Sequence, residues 1–212
     1  MDVVSRRPAP ASTEGRFTGV AIAIVTNNKD PDGLGRVKVR LPWLDEAFES
    51  DWARVATAMA GSGRGLYCLP EVDDEVLVGF EHGCLDSLYV LGGLWNGQDK
   101  PPEGNADGKN NVRVLKSRSG HLIRLTDTDG EEKIEIIDKT GNNSIVVSSS
   151  DKTVTITADA DVIIKSGNGK LKLTGNGVEI TSQAAVKIEA SQSMDLKANA
   201  QLNVKGQVVN IN

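Results

Sequence analysis

The chain has 212 residues, room for one large domain or two small ones. Its 24 basic and 29 acidic side chains give a net charge of −5, which excludes the strongly basic, nucleic-acid-binding class. No apolar run is long enough to span a bilayer. Residues 1–16 lack the apolar core of a secretion signal, so assembly in the cytoplasm is expected. The two cysteines, Cys68 and Cys84, are too few for a disulfide scaffold and have no metal-ligand spacing.

Residues 1–16 read as an N-terminal arm, basic and proline-containing at Arg6-Arg7-Pro8-Ala9-Pro10. Residues 17–97 then hold all eight aromatic side chains. Val20-Ala21-Ile22-Ala23-Ile24-Val25 is β-branched enough for a strand, and Asp30-Pro31-Asp32-Gly33 is a turn. Arg36-Val37-Lys38-Val39-Arg40-Leu41 alternates with period two and ends at Pro42. Further strands are expected at Trp52-Ala53-Arg54-Val55-Ala56, at Glu75 to Phe80 and at Leu88 to Gly92. Gly61-Ser62-Gly63-Arg64-Gly65 reads as a loop, and Cys68 and Cys84 as small buried residues of adjacent strands. About five short strands without a helical pattern predict a small barrel such as an OB-fold. OB-folds often hold single-stranded nucleic acid, but residues 17–100 carry seven basic and thirteen acidic side chains, a charge that repels phosphate.

Residues 98–143 read as a linker, rich in Pro, Gly and Asn, followed by neck strands. Val112-Arg113-Val114-Leu115, His121 to Leu125 and Lys133 to Ile137 are the candidates, with a hairpin turn at Asp127-Thr128-Asp129-Gly130.

Residues 144–212 repeat. Pairs of apolar residues two apart recur every seven to nine positions: Ile145 with Val147, Val154 with Ile156, Val162 with Ile164, Leu171 with Leu173 and Val178 with Ile180. Val186 with Ile188, Met194 with Leu196, Leu202 with Val204 and Val209 with Ile211 continue the series. So short a period predicts stacked strands. The apolar pair faces inward and the intervening Thr155, Lys172, Glu179, Lys187, Asp195 and Asn203 face water. A lone ribbon with two apolar residues per strand has no core. Either it coils on itself, or three chains wrap about one axis and share a core built from the pairs between Val154 and Val204. The lack of aromatic residues fits a narrow core in both cases.

Taken in order, these segments resemble the spike proteins of contractile injection machines, the baseplate assembly protein V family of phages and the VgrG spikes of type VI secretion. The likeness is carried by Asp30-Pro31-Asp32-Gly33-Leu34-Gly35-Arg36-Val37-Lys38-Val39-Arg40, Trp52-Ala53-Arg54-Val55 and Pro70 to Phe80. Val90-Leu91-Gly92-Gly93-Leu94-Trp95-Asn96-Gly97 and the neck from Ser119 to Gly130 also carry it. Asp73 departs from it, standing where the family has Gly, and Gly83 to Leu88 lacks the family's Pro.

The resemblance implies an all-β homotrimer: OB barrels against inner-tube and baseplate hub proteins, a neck, and a triple-stranded β-helix needle aimed at a target membrane. The chain is too short for the tube-like front domains of a full VgrG. Some family members close the needle with C-terminal histidines on a metal, and this chain has no histidine after His121. A separate PAAR-repeat tip protein is therefore expected on Val208, Val209, Asn210, Ile211 and Asn212. No catalytic, cofactor or metal residues are expected, since the only histidines, His82 and His121, lie in different modules. The competing reading is a single-chain β-helix that binds or cleaves carbohydrate. That class uses aromatic platforms and paired carboxylates, and the repeat holds no aromatic residue.

Overall fold

The computed structural model describes residues 16–45 and 47–211. Residues 1–15 of the expected arm at 1–16, Glu46 and the terminal Asn212 lie outside them. Two compact units divide at Asp159, with Ala160 opening the second.

The first unit begins with a closed barrel. Its strands are β1 (Val20–Asn27), β2 (Arg36–Arg40), β3 (Ala53–Val55), β6 (Glu75–Phe80) and β7 (Leu88–Gly93), and they close in the order β1-β2-β3-β7-β6. All ladders are antiparallel except β3 with β7, which is parallel. Period-two alternation points one side of each strand inward. Ala23, Val25, Val37, Val39, Leu41, Ala53, Val76, Val78, Leu88 and Val90 form the buried core. Ser50 is buried among them because it is fully used: its hydroxyl accepts from Val39 N–H at 3.0 Å and donates to Asp51 C=O at 2.7 Å.

Between β3 and β6 lies a small hairpin, β4 (Ala60–Gly61) and β5 (Arg64–Gly65), where the sequence predicted only a loop. Two-residue strands rich in glycine leave no periodicity to read. The cysteines are also corrected. Cys68 is exposed in the segment after β5, and Cys84 is half-buried beside a 3-10 turn at Glu81–Gly83, so neither lies in a strand. The usual burial of a free thiol is outweighed by where the chain places it.

The neck is a five-stranded antiparallel meander: β8 (Val112–Lys116), β9 (Leu122–Thr126), β10 (Lys133–Ile137), β11 (Ser144–Ser148) and β12 (Thr153–Thr157). Gly120, Gly130 and Gly141 take left-handed φ at its first three turns. In the third turn, partial desolvation pushes Asp138 up, but bonds from Thr140 and Asn143 outweigh it and hold the carboxyl at about 2. β11 and β12 are the first two segments of the sequence repeat. They pair antiparallel with the neck instead of opening the array expected from residue 144.

In the second unit, residues 160–211 show no hydrogen-bonded strand, and every side chain is exposed.

Candidate assembly surface

The register of the neck lines its exposed side chains up in two rows. Leu115 faces Ile123, Ile123 faces Ile136, Ile136 faces Ile145 and Ile145 faces Ile156. Beside them run Arg113, Leu125, Ile134, Val147 and Val154. Every apolar member of these rows is exposed, from Val147 at 38% to Val154 at 68%. Arg113, at the edge, is held by Asp127 at 2.7 Å. A shallow groove of about 490 Å³ runs over one row between Leu115 and Ile156, with His121 and Asp138 at its rim.

The opposite face of the same sheet is half-buried to buried on β8 to β11, apart from Lys116, and exposed on β12. Glu135 is buried there and pairs with Lys133 at 3.1 Å, and Arg124 pairs with Glu103 of the linker. A sheet needs a packed layer on an apolar face. Here the less exposed face is the mixed one, with Arg124, Glu135 and Ser148 beside Val114, Leu122 and Val146, while the apolar rows stand in water. A contiguous apolar patch of that kind marks an interaction surface.

The residues expected to form a shared core fall into two groups. Val154 and Ile156 sit on β12 in the two rows. Val162, Ile164, Leu171, Leu173, Val178, Ile180, Val186, Ile188, Met194, Leu196, Leu202 and Val204 lie in the second unit, all exposed. Of the expected tip surface, Val208, Val209, Asn210 and Ile211 are exposed, and Asn212 lies outside the described residues. The sequence reading missed that the neck rows, from Leu115 to Val147, are open. Their alternation was visible, but alternation does not say which face is covered.

The barrel carries a second apolar surface. Phe17 stacks on Phe80 at 5.5 Å and meets Trp43 edge-on at 5.7 Å, with Val20 and Ile22 exposed beside them. On its β2–β3–β7 side, Arg36 and Lys38 lie over Trp52, and Arg54 over Tyr89. Such cation–aromatic stripes hold single-stranded nucleic acid in other OB-folds. Here carboxylates already occupy them. Arg36 is bound by Asp30 and Asp32, Lys38 by Glu49 at 2.8 Å, and Tyr89 donates to Glu81 at 3.0 Å.

The loop from Asp30 to Arg36 is built around one carboxylate. Asp30, with its side chain 3% exposed, accepts from the backbone N–H groups of Asp32, Leu34 and Arg36 and from the Arg36 guanidinium at 2.7 and 2.9 Å. The guanidinium, helped by those N–H groups, holds the Asp30 carboxyl far below the usual carboxylate range. Gly33 and Gly35, both at left-handed φ, let the chain turn this tightly.

Residues 21–95 match the family described as the Type VI secretion system/phage-baseplate injector OB domain. The barrel is therefore similar to an injector OB domain. The likeness runs beyond it. The chain is 29% identical over 155 residues to the Type VI secretion system spike protein VgrG2a of Pseudomonas aeruginosa, covering 67% of this chain and 18% of the relative. It is 33% identical over 141 residues to VgrG4b and 30% over 146 residues to VgrG1c of the same organism, covering 60% and 61% of this chain and 18% and 20% of those relatives. The chain thus resembles the spike proteins over most of its length and spans less than a quarter of theirs. Among the described residues, no helix is long and apolar enough to cross a membrane.

Proposed function

We propose that this chain is the central spike of a contractile injection machine, a homotrimer at the tip of the inner tube that punctures a target membrane. The observation that carries the reading is the open apolar face of the neck, continued in sequence by a repeat with no hydrogen-bonded strand of its own among the described residues. The neck face needs a packed layer and the repeat needs partner strands, and three copies of the same chain supply both with one shared core. Residues 17–97 are then the barrel domain, 98–143 the linker and neck, and 144–212 the needle, whose first two strands join the neck. The work is mechanical and needs no catalytic centre. The Phe17, Trp43 and Phe80 surface suits the inner-tube and hub proteins expected at the barrel end. Val208, Val209 and Ile211 suit a PAAR-repeat tip protein. Assembly takes place in the cytoplasm, with only transient membrane contact.

A single-chain carbohydrate-binding β-helix is disfavoured. Such a protein closes its own ladders, and residues 160–211 close none. Light scattering on the purified chain separates the two readings. The trimer gives three times 22.6 kDa, and a folded monomer would sink it.

A further inference from the structure

We propose that the outward charges of the repeat form ladders between copies and fix which repeat of one copy lies beside which repeat of the next. This rests on the trimeric reading above. With no pairing inside the chain from 160 to 211, the strand beside each repeat comes from another copy. Three copies winding about one axis, one face per repeat, place each repeat against the next-numbered repeat of a neighbour, ~4.8 Å away. The apolar pair recurs in every repeat. A slip by one repeat therefore leaves the core equally well filled, and something outside the core must choose the register.

In four consecutive repeats the residue between the members of the pair alternates in sign, Lys172, Glu179, Lys187, Asp195, and in the other five it is uncharged (Val146, Thr155, Ile163, Asn203 and Asn210). Each flanking column adds one opposite pair, Asp161 before Lys170 and Glu189 before Lys197; their remaining members are uncharged except Lys165 and Lys205, and Lys205 follows a like charge. In the native register each charge of the central column, from Lys172 to Asp195, lies beside its opposite on another copy. Slipped by one repeat, Lys172 meets Lys172 or Lys187, and Glu179 meets Glu179 or Asp195. Like charges directly across strands destabilise and opposite ones stabilise. All these side chains are exposed, and Lys187 also pairs within its own segment with Glu189 at 2.8 Å. One ladder pair is weak, but threefold symmetry repeats each of them three times.

The test uses the full chain with Cys68→Ser and Cys84→Ser, carrying Thr174→Cys and Thr181→Cys at outward positions of consecutive repeats. A short bis-maleimide should link the native register into a covalent trimer on a denaturing gel. Either cysteine alone should give little product, because equal repeats face each other only after a slip. Lys172→Glu with Lys187→Glu makes one column wholly acidic. Covalent trimer should then fall several-fold and single-cysteine products should rise. Adding Glu179→Lys and Asp195→Lys should restore the native pattern. An unchanged pattern in the double reversal, or no recovery in the fourfold one, overturns the ladder. So does a trimer by light scattering that never links residues 174 and 181. A monomer by light scattering overturns the trimeric reading itself.

Discussion

Asp30 organises the β1–β2 loop because one carboxylate there satisfies three backbone N–H groups and an arginine. Its folded pKa lies below its unfolded value. The stabilisation is therefore complete above about pH 4, the unfolded range, and is lost as pH falls through the lower folded value. Asp30→Asn keeps the shape and removes the charge. It should lower the melting temperature at pH 7 and flatten the acid limb of a melting-temperature profile between about pH 2 and pH 5; a parallel downward shift with the limb unchanged would show that the charge is not what matters. Asp73 offers the opposite case. It sits at φ 75, a conformation that costs a residue with a side chain about 1 kcal/mol or more. Its N–H bonds Val25 C=O through the backbone alone, which glycine would keep. Asp73→Gly should stabilise the barrel by about 0.5–1 kcal/mol, a gain of a few degrees by calorimetry. The resemblance marked Asp73 as standing where glycine is expected, and a φ of 75 is a conformation that favours glycine.

At the scale of elements, the barrel strands were legible because each buries one side. Val37, Val39 and Leu41 alternate with Arg36, Lys38 and Arg40, and Pro42 ends the run. The hairpin at Ala60 to Gly65 was not legible, having too few residues for a period. β11 and β12 show a different limit. Ile145 with Val147 and Val154 with Ile156 have the spacing of the later repeats, yet they pair antiparallel with the neck. The spacing identifies a strand and its faces, not the partner of its edges. The open rows of the neck make a direct prediction. Ile136→Asp places a carboxylate at the centre of one row, and Ile180→Asp does the same in the repeat. Burying an unpaired charge costs several kcal/mol per ion, and a trimer would bury three. Both variants should lose the trimer by light scattering, whereas Thr181→Ala, on the outward side, should keep it. Equal tolerance of all three would show that the inward side has been misassigned.

For the whole molecule, the division at Asp159 separates a part that closes its own ladders from a part that does not. The barrel holds its core within one chain, and the neck holds all five of its strands. Residues 160–211 hold none of their own, although their repeat was the plainest pattern in the sequence. A repeat can be read without being foldable alone, since ordering each residue costs on the order of 1–2 kcal/mol and two exposed apolar side chains per segment return too little. The neck is then the natural nucleus. Its open apolar face gathers three copies and raises the local concentration of three repeats, so that strands pair between chains instead of within one. Two fragments test this order of events. Residues 160–212 alone, at micromolar concentration, should give the circular dichroism of an unfolded chain. Residues 112–212, with the neck restored, should give a β spectrum and a single trimeric mass, with a melting temperature that rises with protein concentration. If the short fragment folds into a β structure by itself as a monomer, the repeat has a core of its own and the neck is not needed to start it.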